Sequence, residues 1–336
     1  MPSLRDFLRL RSERPFTPLR LPWHRLTLGL AGLAAVAALA GRAFSGEGTG
    51  PVVACPLASR TCAGGQPEPF AATGELAVFA GLPDEPALDC AAVARGRVMT
   101  ALVLGQSNAS NTVDPGYDSA LPVYAFADGV CTKAHDALPG TTGAKGSVWP
   151  RLGDKLAAGG FYDAVVFADI ARGGSSILEW GPGGRYNAVL LAALDALDEA
   201  GLPPTHILFH QGEADCAMGL PAAGYAAALD ALIGQLRGRI GRNTEVIVAR
   251  TSLFLDPDCG DKDNPACYKT CPALIEAQSA AADPDRRVLS GPDTDRLVPW
   301  SERNDGYHFT SRGADRVADA WLSLVAPDAA PEPVLH

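Results

Sequence analysis

A three-layer α/β/α sandwich built on a parallel sheet is the fold class that this chain of 336 residues predicts. Two patterns lead there. From Val98 onward, short β-branched apolar runs alternate with longer helical patterns, as in βαβ units. Those apolar runs are continuous rather than alternating, so both faces of the sheet are covered. Composition agrees, with 47% hydrophobic and 20% charged residues, which is ordinary for a chain that buries a core and excludes disorder throughout. No internal repeat is evident.

Strands are expected, in order, at 98–105 (VMTALVLG), 163–170 (DAVVFADI), 206–210 (HILFH), 245–250 (EVIVAR) and 287–291 (RVLSG). Helical periodicity fills the gaps at 149–159, 186–201, 222–240 and 271–282, and a last helix is expected at 311–325. In open sheets of this kind a ligand binds beyond the carboxyl ends of the strands. The polar, glycine-rich clusters fall there: GQSN after the first strand, ARGGSS after the second, HQGEAD after the third, and NDGYHFT between the fifth strand and the last helix.

The front of the chain is different. Residues 1–25 carry six arginines against Asp6 and Glu13, a local charge of +4, so the formal net charge of -10 leaves -14 on the remainder. An acidic body repels phosphate backbones and argues against nucleic-acid binding. Residues 26–41 then run without a charge, a helix roughly 24 Å long at about 1.5 Å per residue. A basic n-region, an apolar h-region and Ala38-Leu39-Ala40 before Gly41 suit a cleaved signal peptide. The 25-residue n-region favours an uncleaved anchor. Either way the arginines stay in the cytoplasm and the chain beyond residue 42 is exported to the periplasmic or extracellular side.

Residues 42–92, rich in Gly, Pro and Ala and without sustained period, are expected to form a tether and lead-in, and 93–330 the folded domain. All eight cysteines follow the apolar segment. An even number in an oxidising compartment implies up to four disulfides, with the pairing left open. In CGDKDNPACYKTC, zinc is disfavoured because the stretch has neither a CxxC pair nor a histidine.

Ester hydrolysis needs a nucleophile, a base, a group orienting that base, and donors for the oxyanion. Ser107, in a tight turn after a buried strand, is the candidate nucleophile. His308 and Asp305, three apart before a helix, are the candidate base and orienter. Gly173 and Gly174 let backbone N–H groups approach an oxyanion closely, and the Gln211 amide is a further candidate donor. Glu213 is read as a buried brace for its loop, and Asp215 as a capping or loop-stabilising residue. Trp149, Trp180, Tyr186 and Trp300 lie near the rim and are candidates for stacking on sugar rings.

Taken together, GQSN, GGSSI with Trp180, HQGEAD, and DGYHF with Gly313 resemble the SGNH hydrolases over roughly residues 98–325. Within them the chain is similar to the sialate O-acetylesterase-like branch that includes carbohydrate esterase family 6. The resemblance implies a flavodoxin-like fold, no metal or organic cofactor, and a Ser107-His308-Asp305 triad. It implies an oxyanion hole from the Ser107 N–H, the Gly174 N–H and the Gln211 side chain, with Asn108 and Trp180 as possible substrate contacts. Gln211 stands where many members have asparagine, and Ala109 departs from the methionine often found there. The implied activity is removal of O-acetyl groups from a carbohydrate or polysaccharide. A transferase using the same triad and a non-catalytic glycan-binding envelope protein remain alternatives.

Overall fold

The computed structural model describes residues 87–326. The basic tail, the apolar segment 26–41 and nearly all of the expected tether, with Cys55 and Cys62, lie outside the described residues. Chain order is α1 (Cys90–Val93), β1 (Val98–Gly105), β2 (Val123–Ala127), β3 (Val130–Lys133), α2 (Trp149–Ala158) and β4 (Ala164–Asp169). There follow α3 (Asn187–Glu199), β5 (His206–His210), α4 (Glu213–Ala217), α5 (Ala222–Arg237), β6 (Glu245–Arg250), β7 (Phe254–Leu255) and β8 (Tyr268–Lys269). The chain closes with α6 (Pro272–Ala280), β9 (Val288–Asp293), α7 (Thr294–Leu297) and α8 (Ser311–Val325).

The main sheet has the order β3-β2-β4-β1-β5-β6-β9. Leaving out the β2–β3 hairpin, the parallel strands run 2-1-3-4-5, the doubly wound flavodoxin-like order. β1 is flanked by β4 and β5, so the chain leaves it in one direction and returns on the other side. In open sheets such a switch marks where ligands bind, at the carboxyl end of the strands, and Ser107 follows β1 there.

The two-layer cover follows from side-chain alternation along buried strands. Leu102, Leu104, Ile207 and Phe209 face one side and pack with Leu190 and Leu194 of α3 and Leu229 and Leu232 of α5. Met99, Ala101, Val103 and Leu208 face the other and pack with Leu152 of α2 and Val317 and Trp321 of α8. Gly153 of α2 sits against Val123 and Phe167 with no room for a Cβ, which lets that helix lie close on the sheet.

The expected sheet was wholly parallel; the observed one is mixed. β3 runs antiparallel to β2 at the edge, because Asp128 and Gly129 both take positive φ, 51° and 78°, the geometry of a tight two-residue hairpin turn. The Asp-Gly dipeptide between apolar runs is a sequence signal for that hairpin that periodicity alone missed. The cysteines pair as Cys90–Cys131, Cys216–Cys271 and Cys259–Cys267. The first ties the start of the domain to the edge strand. The other two join every cysteine of CGDKDNPACYKTC in disulfides, in agreement with the choice of bridges over zinc.

Candidate active site

The rim is assembled around the turn after β1. Gly105 has φ 134°, and a Cβ there would overlap the His210 carbonyl; only glycine lets β1 end so close to β5. The Gln106 N–H donates to the His210 carbonyl at 3.0 Å. Its side-chain oxygen accepts from the N–H groups of Gly212 and Ala214 at 3.1 and 3.0 Å, tying the first turn to the start of α4.

Ser107 then opens a short 3-10 turn, Ser107–Ala109. Its carbonyl accepts three hydrogen bonds, from the Ser110 N–H at 3.0 Å, the Ser110 hydroxyl at 2.9 Å and the Thr112 hydroxyl at 2.9 Å. The backbone of this one serine is therefore immobilised. Its own N–H and hydroxyl have no partner among the described residues.

The loop before α8 is held as tightly. Asp305 Oδ1 accepts from the backbone N–H groups of Tyr307 and His308 at 3.0 and 2.9 Å, and Oδ2 lies 2.6 Å from His308 Nδ1. Three residues of separation suffice because the aspartate folds the chain back over itself in an Asx-type turn. Gly306 with φ 93° completes that turn. Burial pushes the Asp305 carboxyl up, but the His308 ring with its charge and the two backbone donors outweigh this and hold it well below the usual carboxylate range. His308 thus has Nδ1 engaged and Nε2 left for chemistry.

Ser107 and His308 are not directly hydrogen-bonded here. Asn108 joins their neighbours: its Nδ2 donates to Glu213 Oε1 at 2.7 Å and to the Tyr307 carbonyl at 3.2 Å. The first, third and last motifs therefore meet at one amide group. Glu213 is buried, as its reading as a brace requires, and His210 Nε2 lies 3.5 Å away. Burial raises the Glu213 carboxyl, but His210 and the Asn108 amide overcome it and bring it down to about 2.

The glycine loop distinguishes its two members. The Gly173 N–H donates to Thr142 Oγ1 at 2.8 Å. Gly174, with φ 70°, has an N–H without a partner among the described residues. Of the two, only Gly174 keeps a donor for a bound oxyanion.

Four of the candidate side chains lie inside the protein. Gln211 is fully buried, and its Nε2 donates to Asp215 Oδ2 at 2.7 Å and to the Ser175 carbonyl at 3.0 Å. Both amide protons are occupied, so in this structure Gln211 braces the Ser175 carbonyl and Asp215. Trp180 is fully buried, donates from its indole nitrogen to Ser175 Oγ at 3.0 Å and packs on Tyr186; it offers no face to a sugar. Trp149 is likewise core. Asn108 is buried with both amide protons engaged in the architecture of the rim. Asp215, accepting from Gln211 Nε2 and from the Ile177 N–H at 2.8 Å, is the loop-stabilising residue expected of it.

Sequence reasoning missed Arg303, whose guanidinium is buried and donates through Nη1 to the Tyr307 carbonyl at 2.8 Å. Its only sequence signal was its place two residues before Asp305. Among the described residues no cluster of three or more His, Cys, Asp or Glu has the arrangement of a metal site.

An α/β/α sheet with a switch point at β1 thus carries serine, histidine and aspartate on its rim. Residues 154–282 match the family described as carbohydrate esterase, sialic acid-specific acetylesterase. Over that stretch, less than half of the chain, the protein is similar to the sialic acid-specific acetylesterases. A solved protein of Arabidopsis thaliana overlays with a TM-score of 0.51 at 16% identity, covering 67% of this chain and 96% of that one, which shows a shared fold. NanS (TM-score 0.46, 12% identity, 68% and 96% covered) and a carbohydrate acetylesterase of Xanthomonas citri (0.43, 15%, 67% and 54%) overlay more loosely. No curated protein sequence matches the chain.

Proposed function

We propose that the protein is an exported serine esterase that removes O-acetyl groups from a carbohydrate or polysaccharide through an acyl-enzyme on Ser107. The observation that carries this is the Asp305–His308 unit held on the rim that also presents Ser107 and the unpaired N–H of Gly174. Ser107 Oγ attacks the acetyl carbonyl carbon as His308 Nε2 takes its proton, with Asp305 keeping Nδ1 protonated. The oxyanion is held by the N–H groups of Ser107 and Gly174. The intermediate collapses, the sugar oxygen leaves with the proton from His308, and acetyl-Ser107 remains. Water, deprotonated by His308 Nε2, attacks this ester; acetate departs and Ser107 regains its proton.

Acetate release from 4-nitrophenyl acetate and acetylated xylan by the purified full-length protein tests this beside Ser107→Ala. Turnover in the parent and none in the folded variant is expected. Equal turnover in both would remove Ser107 from the mechanism.

The location of this chemistry belongs to the same proposal. The +4 tail, the apolar segment 26–41 and the three disulfides of the described domain support an exported catalytic domain, anchored to the inner membrane by residues 26–41. Protease added outside spheroplasts should digest residues 93–330; full protection would refute export.

A further inference from the structure

The rim rests on charges that hydrolysis does not consume. Arg303, 4% exposed, donates from Nη1 to the Tyr307 carbonyl at 2.8 Å and from Nη2 towards the Thr294 carbonyl at 3.4 Å. Its guanidinium lies 5.1 Å over the Phe309 ring. The Tyr307 carbonyl, one peptide before His308, also accepts from Asn108 Nδ2, which in turn donates to Glu213 Oε1. The result is a continuous buried path, Glu213–Asn108–Tyr307 carbonyl–Arg303, with an anion at one end and a cation at the other. A buried charge is tolerated only when it is paired or hydrogen-bonded, and this pair is spaced by the backbone that carries the base.

We propose that Arg303 and Glu213 are positioning residues forming a charge-balanced clamp, which fixes His308 through the Tyr307 carbonyl and whose two opposite charges offset each other at its imidazole. This rests on the reading of His308 as the general base. Four groups face Arg303: Glu213 on α4, Asp295 on α7, Tyr268 on β8 and Asp305 on its own loop. Glu213 is faced by His210 at the end of β5. The His308 ring is faced by Asp305 and the Tyr307 ring. Asp295 has its own donors, the N–H groups of Ser252 and Leu253 and the Ser252 hydroxyl, and its burial pushes its carboxyl up. Of the anions acting on Arg303, Glu213 acts most strongly.

The clamp makes a prediction that packing alone does not. Removing the cation unbalances the pair, favours imidazolium and moves the His308 titration upward; removing the anion moves it downward. At partly screened separations each shift is about half a pH unit. The imidazole titration of His308 is read by NMR in the full-length protein and in Arg303→Met, Glu213→Gln and the double variant, alongside the acid limb of kcat/KM. Opposite shifts in the single variants that cancel in the double are expected. No shift, or shifts in one direction, would overturn the clamp.

If Arg303→Met does not fold, Arg303→Lys and Glu213→Gln decide. Lysine keeps the charge and should leave the titration in place while losing geometric precision and lowering kcat more than it raises KM; Glu213→Gln should still shift downward. The NMR readout needs no turnover, so opposite titration shifts with a failed esterase assay count against the proposed activity, and absent shifts with full turnover count against the clamp.

Discussion

What separates Ser107 from an ordinary turn serine is the state of its backbone: three donors hold its carbonyl while its N–H stays unpaired. A hydroxyl on such a fixed frame loses little freedom on reaching a transition state. Gly174 has the matching property, and its positive φ gives the mutational test. Gly174→Ala strains the backbone by about 1 kcal/mol and displaces one donor, for which a hundred- to thousandfold loss in kcat is typical; kinetics on a folded variant should show kcat falling by far more than the melting temperature suggests. Gln211 should behave in the opposite way. Its two engaged protons predict that Gln211→Ala loses about 1–3 kcal/mol of stability, because Asp215 and Ser175 lose a donor, with kcat within about tenfold of the parent. A two- to three-order fall in kcat with stability kept would return Gln211 to the oxyanion hole.

At the scale of elements, the rim depends on how short pieces are moored. α4, only five residues long, carries Glu213 and is too short to be stable alone. Gln106 caps its start, and Cys216 ties it to Cys271 at the head of α6 across a 55-residue separation. A loop of that length limits the unfolded chain by about 4 kcal/mol in the entropic account. Replacing both cysteines by serine should therefore lower stability by up to that amount in denaturant titrations, and lower kcat as Glu213 loses its frame. A double variant that melts like the parent would show that packing, not the bridge, holds α4. By contrast, the long helices α3, α5 and α8 need no such device, since each buries an apolar stripe against the sheet.

Over the whole molecule, buried carboxyls set the response to pH. Asp305 and Glu213 are depressed on folding, so the stability they contribute is present above about pH 4–5 and is lost as pH falls through their folded values. Asp169 and Asp136 are shifted the other way, chiefly by burial, to about 8 and about 6. For these two the folded state holds its proton longer than the unfolded chain, so stability falls as pH rises from about 4 towards those values. The combined expectation is a maximum on the acidic side of neutral. Denaturant titrations between pH 5 and 8 should show declining stability in the parent and a flatter profile in Asp169→Asn, which keeps an acceptor for the Ala171 N–H. A parent profile that rises over this interval would contradict the assignment.

Five strands, five long helices and the rim they create were legible in the sequence because period and continuity of apolar residues report burial directly. The candidate nucleophile, base and orienter were legible because each stands in a short motif at a strand or helix end. The β2–β3 hairpin was not, since its runs are short and its turn signal was passed over. Nor was the fate of the polar side chains. GQSN, GGSSI and HQGEAD named Asn108, Trp180 and Gln211 as groups for substrate or oxyanion, and all three proved to be buried inside the protein. Sequence by itself determined which residues reach one rim, because strand polarity and loop position follow from local pattern. Only the tertiary structure decided which of their donors remain unpaired, because a hydrogen bond is settled by partners brought together from about 100 to 200 residues away, as Asn108 is by Glu213 and Tyr307.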